Sequence, residues 1–171
     1  MHHRSQFLRL LDFSQRILEQ GISLIDLART HADIAFDSFI GPHLRHVIEH
    51  YETFVQQAGG RTIDYDARLR DRDVERDPAL ARARLQALSA AIAQLEESQL
   101  SNPVAIHLLG GMAGDEHFVT FSTVERELMF LASHAIHHYA QLKLHLHAHG
   151  IELDPDFGKA PSTIHHEHQT H

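Results

Sequence analysis

The stretch Glu127-Leu-Met-Phe-Leu-Ala-Ser-His134-Ala-Ile-His137-His138-Tyr-Ala-Gln141 contains neither Pro nor Gly, and Leu, Met, Phe and Ala recur in it at helical spacing. That pattern commits it to helix. His134 and His138 are then i and i+4, one turn apart on one face. Two imidazoles so placed can hold one metal ion, with nitrogens about 2 Å from it. The pair gains meaning from a second segment. Residues 40–58 read as a helix that opens at Gly41-Pro42, with Pro in the first turn, and stops at Gly59-Gly60. His43, His46 and His50 fall on it at i, i+3 and i+7, on one face. Singly, each reads as a surface or structural histidine. Three on one face, opposite an HxxxH helix, read as candidate ligands.

The remaining chain supplies the elements around these two. Residues 5–20 predict a first helix, capped by Ser5 and ended by Gly21, with Phe7, Leu10, Leu11, Ser14, Ile17 and Leu18 as its core stripe. Ile22–Ala28 reads as a separate short helix, and Asp26, Asp33 and Asp37 as surface carboxylates. Residues 61–77 are dense in both charge signs and poor in apolar residues, which predicts a long crossover held by Arg–carboxylate pairs. Asp77-Pro78 caps a third long helix to about Glu97, with Leu80, Ala83 (or Arg84), Ala87, Ala91 and Leu95 as its buried face. Residues 103–121 place two β-prone runs about a Gly-rich turn and predict a hairpin. No GK[ST] follows those glycines, so they are no phosphate loop. Ser122–Glu125 has the form of a capping box and opens the last helix, which runs to about His149 with Leu128, Leu131, Ala135, Tyr139 and Leu142 inward. The expected fold is therefore all-α, a four-helix bundle with a long crossover and a small β-hairpin before the last helix. Residues 1–150 make the bundle, and 151–171 an extended His-rich tail.

Composition narrows the chemistry. A net charge of -8 disfavours nucleic acid as a partner, since phosphate binding needs a basic surface. No apolar run approaches the ~18 residues of a membrane span, and Met-His-His-Arg-Ser-Gln starts no signal-peptide core. The expectation is a cytoplasmic protein. With no Cys, thiolate metal sites, disulfides and a Cys nucleophile are excluded. What the chain has in excess is histidine, 18 of 171 residues.

Ile40-Gly-Pro-His-Leu-Arg-His46-Val-Ile-Glu-His-Tyr51, taken with Glu125-Arg-Glu-Leu-Met-Phe-Leu-Ala-Ser-His134-Ala-Ile-His-His138-Tyr-Ala-Gln141, resembles the DinB-like metalloprotein family. The resemblance extends from the first helix to Gly150. It implies an up-down-down-up bundle, commonly dimeric, with one ligand early in the second helix and an HxxxH in the last. Carried onto this chain, the ligands are His46, His134 and His138. It also implies a divalent metal, most often zinc or nickel. The substrate it implies is a small molecule, such as a low-molecular-weight thiol in the thiol S-transferases, and other relatives are isomerases and hydrolases. The crowd of further histidines departs from the pattern, so His43, His50 and His137 stand as additional or replacement ligands.

The donor chemistry supports a metal independently. Three neutral imidazoles suit zinc, nickel or iron better than calcium or magnesium. Three protein ligands leave a position open, as catalytic zinc sites do. Ala135 follows His134 where a zincin has Glu. A general base would be Glu49, His50 or a loop carboxylate, Glu49 serving equally as a partner that orients a ligand. The match to the family's pattern and the arginine-rich crossover nearby imply that Arg45, Arg126 and Glu127 are salt-bridge partners. In the tail, His165, His166, His168 and His171 form a Cys-free metal-binding composition, read either as adventitious or as capture and delivery to the core site. Three functional classes follow: a metal-dependent transferase or hydrolase, a metal-binding or storage protein, and a bundle whose metal is structural.

Overall fold

The computed structural model describes residues 5–31 and 34–170. Met1–Arg4, Asp33 and His171, which figured in the sequence reading, lie outside the described residues. Among the described residues, seven helices and three strands follow in the order α1 (Gln6–Ala28), α2 (Ile40–Gln57), β1 (Thr62–Asp64), α3 (Arg72–Arg76), α4 (Pro78–Ala93), α5 (Glu97–Leu100), β2 (Pro103–Gly110), β3 (Glu116–Thr123), α6 (Val124–Ala148) and α7 (Pro161–Gln169). None of these helices is long and apolar enough to cross a membrane.

The expected all-α four-helix bundle is not what the chain builds. The four long helices do pack on one another, α1 against α4 and α6, and α2 against α4 and α6. A three-stranded mixed sheet in the order β1-β2-β3 joins them. β2 and β3 form the expected hairpin, antiparallel with Ala105 opposite Phe121 and Leu109 opposite His117. β1 then pairs parallel with β2, Ile63 opposite Ile106. The charged segment is not the crossover throughout that its composition predicts, because Thr62-Ile63-Asp64-Tyr65-Asp66 alternates. Ile63 and Tyr65 are buried between their polar neighbours, and that period of two is a strand's.

Other boundaries move for physical reasons. Gly21 does not end α1, which runs on through the segment read as separate. The glycine is there for space: a Cβ would stand 2.6 Å from the Tyr139 hydroxyl of α6. On α4 the buried face is Ala81, Leu85, Leu88 and Ile92, one position round from the predicted stripe. The larger side chains went inward, and Leu80 and Leu95 cover the edge of the core. Asp77 does cap α4, its Oδ1 accepting from the Ala79 and Leu80 amides at 2.8 and 3.2 Å, a contribution of about 1 kcal/mol. On α6 the cap is Thr123, which accepts from the Arg126 amide at 3.2 Å, rather than Ser122. The inward residues of α6 are buried as expected.

The C-terminal segment is not an extended tail. Ile151 and Phe157 are buried in the core, and Phe157 stacks on Tyr139 at 5.4 Å between centroids. Gly158, at φ +66°, lies so close to α6 that a Cβ would meet the Ala140 amide nitrogen at 2.6 Å. Only beyond it does the chain leave the surface as α7, an exposed helix.

Two tertiary contacts fix α2, and hence its histidines. At Gly41 a Cβ would fall 1.9 Å from the Glu75 carbonyl oxygen, so α3 sits directly on the start of α2. Arg45 then donates from Nε to Glu75 at 2.8 Å. The crossover is held by further pairs of the expected kind, Arg84 with Glu52 and Asp71.

Candidate metal centre

Leu44, Val47, Ile48, Tyr51 and Phe54 bury one face of α2. Full burial contributes about 1.5–3 kcal/mol for each large apolar side chain, and together they fix the rotation of the helix. His43, His46 and His50 consequently face α6, whose own apolar residues orient His134 and His138 in return.

Ligand-capable atoms of His46, His134 and His138 all lie within 4.8 Å of one another. Their ring centroids stand 5.0 Å (His46–His134), 4.7 Å (His46–His138) and 4.7 Å (His134–His138) apart. Nε2 of His134 is buried and has no hydrogen-bond partner among the described residues. A buried polar atom without a partner costs about 1–3 kcal/mol, and a cation shared with two neighbouring imidazoles would relieve it. All three histidines are half-buried, and desolvation is the main reason each resists protonation. His46 and His138 are held down to about 3 and His134 to about 4, with neighbouring imidazoles adding to the effect and Arg68 adding to it at His46 and His134. Neutral imidazole is the metal-binding form. The trio therefore fits a divalent ion and can hold one. Donor type favours zinc, nickel, copper or iron and names none of them.

The other candidates fall into distinct places. His43 Nδ1 is 2.8 Å from His138 Nδ1, so it orients a member of the trio. His50 donates Nδ1–H to the His46 carbonyl at 2.7 Å, leaving Nε2 unprotonated, and its ring lies 4.2 Å from His46 and 4.7 Å from His134. His137 points outward, 2.9 Å from Gln141 Nε2, and does not join the cluster. Glu49, the carboxylate candidate for a base, is 2 % exposed. It accepts the Asp71 amide at 2.5 Å and lies 3.4 Å from Arg45 and 3.7 Å from Arg68. Its oxygens are thus tied to the crossover. His165, His166 and His168 sit on the exposed α7, outside the trio.

Beside the trio lies a cavity of about 340 Å³, lined by His50, Tyr65, Arg126, Glu127, Phe130 and the β2–β3 residues Ile106, Leu108 and Thr120 among others. Phe130 and His50 line the cavity and also pack on His134 of the trio, at 5.6 and 4.7 Å between ring centroids. Within it, the Tyr65 hydroxyl donates to Glu127 at 2.9 Å, and burial together with that carboxylate raises the phenol well above its usual range. Glu127 therefore partners a tyrosine rather than the arginine expected of it. A larger cavity of about 640 Å³ near Gly59 and Phe121 has Arg61 as its only charged lining residue and no imidazole. Nothing in the charge-dense stretch 61–77 marks Tyr65 or Arg68 by composition. The alternation of Ile63 with Tyr65 was the available signal.

No protein-family model matches the chain, and no solved structure matches it. Among curated proteins it is similar to FK506-binding protein 5 of Rhizopus delemar, 33% identical over 105 residues. That match takes in 61% of this chain and 27% of the fungal protein, so it spans about a quarter of that relative's length.

Proposed function

We propose that this chain is a DinB-like metalloprotein in which His46, His134 and His138 hold zinc or nickel, and that it acts on a small molecule by thiol transfer or hydrolysis. The observation carrying this reading is the partnerless, buried Nε2 of His134, set among two further neutral imidazoles, with a cavity of ligand size lined by the His50 and Phe130 rings that pack on His134. A bound divalent ion would act there as a Lewis acid and lower the pKa of a coordinated water or thiol toward neutrality.

The chain's own groups do the rest. His50 offers a fixed, unprotonated Nε2 at the cavity wall and holds a proton taken from a substrate thiol or water. Arg126 supplies a positive charge in the same wall, suited to an anionic substrate group. Ile106, Leu108 and Phe130 exclude water from its apolar side. The family reading also carries a homodimer, measurable by light scattering during size-exclusion chromatography.

The test is metal content of the purified, untagged protein by mass spectrometry, followed by turnover of low-molecular-weight thiols with a reactive electrophile. One ion per chain, lost together with activity in His134→Ala, is the expected result. Turnover retained by metal-free protein overturns the reading. One observation favours a second reading, a closed structural or storage site: the His50 ring is near enough to the trio to supply a fourth ligand. His50→Ala separates the two. An open site keeps its metal affinity and loses turnover, whereas a closed one loses affinity.

A further inference from the structure

Helix α6, taken with its C-cap residue His149, carries the His-x-x-x-His spacing twice. His145 and His149 follow His134 and His138 by eleven residues each. Eleven residues are three turns plus about 20°, so the second pair returns to nearly the same face, about 16 Å further along the axis. Its ring centroids are 4.5 Å apart, against 4.7 Å in the inner pair. His149 donates Nδ1–H to the His145 carbonyl at 2.8 Å, which leaves its Nε2 as a lone-pair donor at the exposed end of the helix. His145 lies flat on Phe39, centroids 4.0 Å apart and planes 19° apart, and neither of its ring nitrogens has a hydrogen bond among the described residues. Phe39 in turn meets His43 at 4.6 Å, and His43 reaches His138 through the 2.8 Å nitrogen contact. A continuous row of rings therefore runs from the surface at His149 to the inner trio.

We propose that His145 and His149 form a second, solvent-facing site for a divalent cation of borderline character, such as zinc, nickel or copper, and that this site captures the ion delivered past His43 to the inner trio. The binding claim rests on the pair itself. The delivery claim rests on the reading of the trio as a metal centre. Imidazole suits these ions and not the hard cations. Two ligands with water completing the shell bind more weakly and exchange faster than three half-buried ones, so the affinity gradient runs inward. The chain's net charge of -8 draws cations toward it. The tail histidines His165, His166 and His168 lie on the separate helix α7 and are the rival capture site.

The experiment is equilibrium dialysis of the full chain against zinc, with bound metal counted by mass spectrometry. The rate of inner-site filling is followed in parallel by the visible absorption of cobalt(II). Wild type should show one tight and one weaker class of site. The weaker class should vanish in the His145→Ala, His149→Ala variant and survive replacement of the three α7 histidines by alanine. Filling should slow severalfold in that first variant, with the tight affinity and the fold unchanged. His147→Ala, on another face of the same helix, should leave both quantities as they are. A weaker class that survives loss of His145 and His149 overturns the proposal, as does one that disappears with the α7 histidines. An unchanged filling rate overturns the delivery role. A His46→Ala, His134→Ala variant keeps the outer ion and loses the inner one. If that variant keeps its outer ion while wild type has no tight class, the trio reading fails and the outer site stands.

Discussion

At the scale of single residues, histidine spacing located the centre, and hydrogen bonding now assigns the roles. His43 illustrates the difference. It shares the face of His46 on α2, yet its Nδ1 goes to His138 rather than to the trio's interior. Partners that orient a ligand imidazole are commonly worth about 10–100-fold in metal affinity. His43→Phe should therefore weaken metal binding by about that factor without abolishing it, measured by competition with a chromophoric chelator. An unchanged affinity would show that the contact with His138 orients nothing. His134 and His138 were legible because i, i+4 spacing on a Pro- and Gly-free segment leaves one geometry, whereas spacing left His43, His46 and His50 equal and only the family resemblance singled out His46. The partnering of Glu49 was not, because its three attachments, Asp71, Arg45 and Arg68, include two from a segment whose path no local periodicity encodes.

At the scale of elements, two glycines seat the pieces that frame the centre. Gly41→Ala would drive a methyl into the Glu75 carbonyl, which is backbone and cannot rotate away. α3 must lift from α2, and the change should cost about 1–3 kcal/mol, the usual range for overpacking, read as a lower urea midpoint. Gly158→Ala meets α6 backbone at a positive φ as well, so both strain and clash oppose it. It should free residues 151–160 from α1 and α6, seen as new protease cleavage in that segment with the metal trio intact. Protection equal to wild type would place the anchoring elsewhere, in Phe157. Neither close approach can be read from sequence, where both glycines look like ordinary turn residues. The same limit produced the all-α expectation. The α2 and α6 signals are local and came through. β1 is three residues long, and its partner β2 lies some forty residues away. Only the alternation about Ile63 and Tyr65 hinted at it. On α4, Ala and Leu at neighbouring positions gave two overlapping stripes, and side-chain volume chose between them.

For the whole molecule, the buried imidazoles couple stability to pH. In the unfolded chain a histidine titrates near 6.5. In the folded protein His46 and His138 are held at about 3 and His134 at about 4, chiefly by desolvation. Between those values the unfolded state binds more protons than the folded one, so folding stability rises with pH across that window. The metal-free protein should consequently lose stability steadily as pH falls from about 6.5 toward 3–4, and show no contribution from these groups above 7. A saturating ion that binds only the folded state adds stability by mass action, about 2.7 kcal/mol at a hundredfold excess over Kd. It adds less as acid competes for the same nitrogens. Thermal melts of the apo and zinc-loaded protein from pH 4 to 8 test both statements. The two curves should diverge most at neutral pH and converge in acid. A metal-free protein whose melting temperature stays flat from pH 6.5 down to 4 would mean that these histidines already carry protons in the fold. The trio would then not be a preformed, neutral ligand set.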